Sequence, residues 1–362
     1  MSFKKLASNF LSLPLQEQKE RVDSYLINNP NSRSYHYLSG VINEVQNEDL
    51  KNENIAVLSS YTFNQLDKFL AVELFKRGIS SKFYFNEFNQ YMQDALNINS
   101  RLYNFDPSTI IISLRIEEMF KDLQWEFENL SNEKITSISE EVLSSVELLI
   151  SSIRKNTKSK IFFSNFSRPF FINNIINESQ NLSGQVGWIR LLNNKLLSML
   201  RSYSDVYLFD FCSISEIFGF ERIRDLKLWY NASVPYNFRF ISFLSNYYAR
   251  YLSSTHFRKK CLVLDLDNTL WGGIIGEDGI NNIDLGDSFP GNVFCDIQRI
   301  VKQFSKQGII LALCSKNNLE DAKEVFDKHP HSILDWNDFA ATANPEEIIA
   351  FTRAIRRVAE KT

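Results

Sequence analysis

Histidine is scarce in this sequence: only His36, His256, His329 and His331 occur among 362 residues. Few side chains are therefore available as the base of a hydrolase. Cysteine is equally sparse. Cys212, Cys261, Cys295 and Cys314 lie within or beside apolar segments, at spacings that match no metal motif, and unpatterned thiols fit a reducing cytoplasm. No apolar run approaches the roughly 20 residues of a membrane span. Ser8 and Asn9 interrupt the basic start, Met1 to Ala7, before a signal-peptide core can form. A net charge of −3 gives no electrostatic reason to expect nucleic acid or a membrane as partner. Internal repeats and low-complexity tracts are missing too. What remains is an ordinary 44% hydrophobic content with 30 Phe scattered at strand and helix spacing, enough for two domains with sizeable cores.

The most informative stretch runs from Cys261 to Leu270. Leu262, Val263 and Leu264 lie between the basic Arg258, Lys259 and Lys260, a solvated linker, and Asp265, which fits a strand buried on both faces of a parallel sheet. Asp265 then stands at its carboxyl end, where open α/β sheets bind their ligands. A carboxylate there can attack phosphorus, and Asp267, two residues on, can protonate the leaving oxygen and later activate water. Two like charges beside a phosphate need a cation, and Mg²⁺ held by Asp265 and by the backbone around Asp267 would supply it. The two acids alone also fit a strand–helix cap, since Asp is common in turns. The preceding strand, Thr269 and a partner segment favour a site.

That partner is Gly308 to Asn317, a second apolar strand pattern that ends in Cys314, Ser315 and Lys316. Between the two, Val293, Ile297, Ile300, Val301 and Phe304 recur at helical spacing, with Gly308 as the stop. The unit is strand, helix, strand, with a right-handed crossover expected. The next helix starts at Asn317 or Asn318, with Glu320 and Asp321 in its first turn, so Ser315 and the following amides would face a phosphate.

At these residues the chain resembles the haloacid dehalogenase superfamily. The segment Asp265, Leu266, Asp267, Asn268, Thr269, Leu270, Trp271, Gly272, Gly273, continuing to Gly279, is similar to the FkbH-like branch, whose second motif is matched by Leu313 to Asn317. The resemblance implies Asp265 as nucleophile, Asp267 as general acid/base, and Thr269, Ser315, Lys316 and Asn317 around the phosphate, with Mg²⁺ on Asp265 and Asp267. It also implies glyceryl transfer: a phosphorylated three-carbon donor of the 1,3-bisphosphoglycerate type loses phosphate and its glyceryl unit passes to an acyl carrier protein. Other members of the branch sit in polysaccharide pathways. A thioester route needs a thiol, and Cys314 beside Ser315 is the candidate, although strand alternation would turn the two to opposite faces.

A complete phosphatase core of this resemblance has a later lysine and a further strand ending in an acid. Here Ile333 to Ala340 still resembles the family, but Asn344 to Glu347 and a short helix over 348–361 follow, with no further strand expected. Asp335 and Asp338 are offered as replacement ligands or as a solvated loop. The Ala- and Arg-rich tail departs from the composition upstream, as a frameshift or junction near Ala340 would produce, and genomic sequence past Thr362 is the check. Loss of two electrostatic elements, each worth on the order of 10²–10³ in rate, would abolish turnover, and a partial sheet would leave an apolar face uncovered.

Upstream, strand-like runs at Asn54 to Leu58, Lys82 to Phe85, Thr109 to Ser113, Lys160 to Phe163 and Asp205 to Phe209 alternate with helical patterns at Leu66 to Arg77, Ile138 to Ile153 and Trp188 to Tyr203. The alternation argues a second parallel α/β structure. Pro14 starts a helix running to Leu26. Leu58 to Thr62, Phe88 to Tyr91, Phe105 to Pro107, Ser164 to Phe166 and Leu228 to Tyr230 resemble the amino-terminal half of FkbH-like proteins, itself similar to SGNH hydrolases. Ser59 or Ser60 would take the nucleophile turn. The base has no candidate, because Pro235, Tyr236 and Asn237 stand where a histidine is expected, so a binding surface is the more economical role.

The expected organisation is α/β, with two Rossmann-like three-layer domains: a helical lead-in at 1–50, an SGNH-like domain at 51–255, and a haloacid-dehalogenase-like core, incomplete at its end, at 256–362. Two classes of function stay open: an enzyme of phosphoryl and acyl transfer or a small-molecule phosphatase, and an inactive remnant acting as a binding module.

Overall fold

In the computed structural model, residues 9–120, 123–170, 176, 180, 184–256, 259–316 and 318–343 are described. The chain divides into two compact units, Met1–His256 and Phe257–Thr362.

In the first unit, β1 (Lys51–Ser59), β2 (Ile79–Phe85), β3 (Thr109–Ser113), β4 (Lys160–Ser164) and β5 (Val206–Phe209) form a sheet of order β2-β1-β3-β4-β5 with every pairing parallel. The helices that matter here are α1 (Leu15–Asn28), α2 (Ser32–Ile42), α3 (Leu66–Phe75), α4 (Asn132–Asn156), α5 (Gln185–Leu200), α6 (Phe211–Phe218) and α7 (Phe238–His256). Alternation along the strands divides the core in two. Ile55, Val57, Ile111, Phe162 and Phe209 join one cluster with residues of α1, α2, α3, α6 and α7. Ala56, Leu58, Ile110, Ile112, Ile161 and Phe163 join the other, with α4 and α5. Both faces are covered at the centre of the sheet, which is why β1, β3 and β4 read as continuous apolar runs. The helices of the amino-terminal segment share this core: Phe10, Val22 and Leu38 are fully buried in the first cluster.

Helix α7 does not stand out in the sequence although its buried positions Phe240, Ile241, Leu244, Ser245, Tyr248, Ala249 and Leu252 follow helical spacing. Tyr and Ser on that face dilute the apolar signal. Tyr248 stacks on Phe209 with ring centroids 3.9 Å apart and an interplanar angle of 10°.

In the second unit, β6 (Cys261–Leu264), β7 (Ile310–Cys314) and β8 (Phe339–Ala343) form a parallel sheet of order β6-β7-β8, with α8 (Gly291–Lys306) and α9 (Leu319–Lys328) in the connections. One cluster, holding Leu311 and Leu313 together with Cys295 and Val301 of α8 and Ala322, Val325 and Phe326 of α9, makes the core. The expectation that the strand at 262–264 is buried on both faces is corrected. Cys261 is exposed, Val263 and Ile310 are 52% and 53% exposed, and among the described residues only the face of Leu311 and Leu313 is closed. The helix expected from the spacing of Val293, Ile297, Ile300, Val301 and Phe304 is present as α8, with only part of that apolar stripe facing the core. Val293, Ile300 and Phe304 are 47%, 51% and 38% exposed, whereas Cys295, Gln298 and Val301 point inward. Periodicity picks the apolar stripe, but the turn after β6 demands a polar partner from the next face. Strand β8 is a further departure from expectation, because its Ala-rich sequence carries a single β-branched residue, Thr342, where strands are usually marked by several.

Candidate functional site

Asp265 is the first residue beyond β6 and Ser315 the first beyond β7. The register Leu264↔Leu313 joins the two strands as direct neighbours, and neighbouring strands run about 4.8 Å apart. Both residues therefore leave the same carboxyl edge side by side. Asp265 is exposed and its Oδ1 accepts the Leu266 amide at 2.8 Å. Ser315 is 7% exposed.

The chain turns sharply after Asp265. Leu266, fully buried, accepts the amides of Thr269 and Leu270 at 3.1 and 2.8 Å, and Asn268 takes a left-handed φ of 52°, a conformation Asn tolerates better than most residues. Asp267 is fixed by this turn: its Oδ1 accepts the Trp271 indole N–H at 3.0 Å and the Ile275 amide at 3.2 Å. Among the described residues its Oδ2 has no hydrogen-bond donor and is left for proton transfer. Thr269 lies half-buried in the turn between them.

The Trp-Gly-Gly that follows is a matter of space. Trp271 is fully buried in the core. Gly272 pairs with Asp284 through two backbone hydrogen bonds, at 3.1 and 2.8 Å, and a Cβ there would sit 2.8 Å from Asp284 Cβ and from Phe294 Cε2. Gly273 has a φ of 94° and its amide donates to Asn268 Oδ1 at 3.1 Å.

Beyond Ser315, Lys316 is exposed and Asn317 lies outside the described residues. Helix α9 begins at Leu319 and is capped by Asn318, whose side chain accepts the Glu320 amide at 3.2 Å, so its amino-terminal turn comes shortly after Ser315 in the chain. Cys314 is half-buried. One step beyond Leu264↔Leu313, the register sets it beside Asp265, with the parity of Ala312, whereas Ser315 continues that of Leu311 and Leu313.

Two groups around the site were not singled out in the sequence. Gln298 on α8 is fully buried; its Nε2 donates to Leu270 O at 2.8 Å and its Oε1 accepts the amides of Ile333 and Leu334 at 2.9 and 3.2 Å. It ties the Asp267 turn to the segment ahead of β8. The only signal was a polar residue in an otherwise amphipathic helix. Lys302 Nζ pairs with both Asp335 and Asp338, and the Asp338 side chain also accepts the Asp335 amide at 2.8 Å. Both acids are thus held by one lysine, Asp338 largely enclosed and Asp335 with its side chain still 72% exposed, as in a solvated loop. They form a lysine-locked cap. The composition change after Ala343 lies outside the described residues.

In the first unit Ser59 and Ser60 are 3% and 0% exposed at the end of β1. Ser59 Oγ donates to Tyr61 O at 2.9 Å, and Ser60 Oγ accepts the Arg115 amide at 2.9 Å. The unit's two histidines are engaged elsewhere: His36 Nδ1 lies 3.0 Å from Ser32 O and His256 pairs with Glu53. Where a base would stand, Arg115 donates to the Tyr236 hydroxyl at 3.3 Å and pairs with Glu117, its guanidinium 3.8 Å from the Phe170 ring centroid.

Among the described residues no three His, Cys, Asp or Glu side chains gather into a metal cage. The carboxylates of Asp265 and Asp267 fit a less demanding ion. Mg²⁺ takes one or two carboxylates, keeps several waters and shares the phosphate of its substrate.

No curated protein matches this chain. Among solved structures it is similar to the N-terminal part of the protein BF1531 from Bacteroides fragilis, described as containing a phosphatase domain complexed with Mg. The TM-score is 0.75 at 24% identity, over 90% of this chain and 85% of that one, a likeness of fold. The family model described as FkbH, N-terminal domain, matches residues 54–249, more than half of the 362 residues. The chain belongs to the FkbH family.

Proposed function

We propose that the second unit transfers phosphoryl groups from a phosphorylated small molecule with the help of Mg²⁺. The observation that carries this reading is the emergence of Asp265 and Ser315 from adjacent parallel strands, with Asp267 pinned through one oxygen only. An oxygen of Asp265 attacks phosphorus while the bond to the leaving oxygen breaks, and Asp267 Oδ2 delivers a proton to that oxygen. Water then opens the aspartyl phosphate, Asp267 takes its proton, and inorganic phosphate leaves. Ser315, Thr269 and the α9 amides orient the phosphate oxygens. Bound through Asp265 and Asp267, Mg²⁺ would neutralise charge on carboxylate and phosphate together.

Family membership and the fold shared with a phosphatase-containing protein support the reading. The finer form is the FkbH-type one: a three-carbon acyl phosphate of the 1,3-bisphosphoglycerate type is the donor, and an acyl carrier protein receives the glyceryl unit, with Cys314 as the intermediate thiol. Its place beside Asp265 in the register supports that role. Undiminished glyceryl loading by Cys314→Ala would remove the cysteine from the scheme.

A second reading, a binding module without turnover, is favoured by the lack of a third acidic ligand among the described residues. Hydrolysis of acetyl phosphate and an aryl phosphate, with and without Mg²⁺, decides between them. Turnover that needs Mg²⁺ and vanishes in Asp265→Asn supports the enzyme; no turnover in the parent chain leaves the module.

A further inference from the structure

The carboxyl edge of β4 and β5 holds a cavity of ≈ 210 Å³ that phosphoryl transfer in the second unit leaves unused. Ligands of open α/β sheets bind beyond the carboxyl ends of their strands, and the cavity is built from the segments that leave two of those ends. Its walls are fastened. Asn165 joins the strand ends by donating to Asp210 Oδ1 at 2.9 Å and accepting the Cys212 amide at 3.0 Å. Asn193 of α5 brackets Phe166, accepting its amide and donating to its carbonyl, both at 2.9 Å.

Inside that frame the polar groups are not spent on one another. Arg168 lies with its guanidinium carbon 4.1 Å from the Phe220 ring centroid, and its Nε is buried without a hydrogen-bond partner. It has no acidic partner among the described residues, and neither does Arg190, exposed on α5 at the cavity's rim. A desolvated guanidinium N–H left unbonded is costly, and an oxyanion paired with the same guanidinium in the cavity it lines would offset that cost. Glu216 is the single acid in the lining, so two guanidinium groups outweigh it. Burial, followed by the charge of Asp210, pushes the Cys212 thiol up to about 12, so it stays neutral and adds no competing charge. Val186, Ile189 and Phe220 give the cavity an apolar side.

We propose that this cavity binds a small organic phosphate, its oxygens on Arg168 and Arg190 and its carbon body against Val186, Ile189 and Phe220. Two forked guanidinium groups suit a dianion with three terminal oxygens better than a monoanionic carboxylate. The site is independent of Asp265 and stands whether or not the second unit turns over substrate.

Isothermal titration of the full chain with phenyl phosphate, in EDTA so that no metal-dependent cleavage occurs, tests it. Phenyl phosphate is expected to bind, with benzoate about tenfold weaker or worse. Arg168→Met and Arg190→Met should each weaken binding about tenfold or more, the loss of a charged hydrogen bond. Arg190 is exposed, so its variant tests the idea without a folding ambiguity; circular dichroism verifies the fold of both. Affinity in Arg201→Met, a change at an exposed cation outside the cavity lining, should equal that of the parent. Absence of binding, parent-like affinity in Arg168→Met or Arg190→Met, or an equal loss in Arg201→Met would overturn the proposal. Equal affinity for benzoate would overturn the choice of phosphate.

Discussion

Gln298 ties the Asp267 turn to the segment ahead of β8, and Gln298→Met isolates its hydrogen bonds, since Met matches its length and keeps the packing. The change strips partners from three backbone groups: the Leu270 carbonyl and the Ile333 and Leu334 amides. Leu270 and Leu334 are fully buried, so water cannot replace what is lost there, while Ile333 is half-buried. Each enclosed, unsatisfied group costs about 1–3 kcal/mol. The two together come to roughly 2–6 kcal/mol, a large fraction of the 5–15 kcal/mol that holds a typical domain folded. Hydrogen exchange reads the effect in place. The amides of Ile333 and Leu334 should lose protection, and urea should unfold the second unit at a lower midpoint, with β1 to β5 unaffected. If the Gln298→Met variant kept both amides protected and its stability within about 0.5 kcal/mol of the parent, a difference no larger than an ordinary surface substitution makes, Gln298 would not be that tie.

Trp271→Phe keeps an aromatic ring in the core but deletes the N–H that holds Asp267 Oδ1; kcat for Mg²⁺-dependent phosphate release should fall about tenfold, the worth of a hydrogen bond to a charge, and unchanged kcat in a folded variant would refute the pinning role. Gly272→Ala forces a Cβ to 2.8 Å from Asp284 and Phe294, so the second unit should lose about 1–3 kcal/mol by overpacking, measured by denaturant midpoint. The Cys212 thiol ionises only near 12 in the fold against an ordinary 9.0. Its contribution to stability is therefore complete below pH 9 and lost as pH rises toward 12. Unfolding midpoints of the parent and Cys212→Ala should converge over that window, and iodoacetamide at pH 8.5 should label exposed Cys261 well ahead of Cys212.

The first sheet was legible because both its faces are covered: β1, β3 and β4 must be apolar at consecutive positions, and such runs stand out without any knowledge of partners. The site's first half was legible for a different reason. Asp265, Asp267 and Ser315 each end or follow an apolar run, a contrast visible in one dimension. What hid was everything decided by space between elements. Gln298 is an ordinary helical glutamine until Leu270 and Leu334 are brought to it. Asp338 looks solvated until Lys302 arrives from α8. Arg168 looks like any surface arginine in a loop until Phe220 stacks on it and a cavity opens beside it. On α8 apolar periodicity marks a surface that wants cover, and Val293, Ile300 and Phe304 remain 47%, 51% and 38% exposed.

The first unit keeps the frame of a hydrolase site without the chemistry. Its strand order reverses between β1 and β3, the place where open sheets admit ligands, and Ser60 and Arg115 come from those two strands. Arg115, 2% exposed, is enclosed by Phe170 and Tyr236, with Trp229 on a further side at 5.4 Å. Burial opposes its charge, but Glu117 and Tyr236 more than compensate and hold the guanidinium firmly protonated. A permanent cation cannot take a proton from Ser60. At the carboxyl edge of β4 and β5, by contrast, Arg168 lines a cavity and, among the described residues, lies over the Phe220 ring and pairs with no carboxylate.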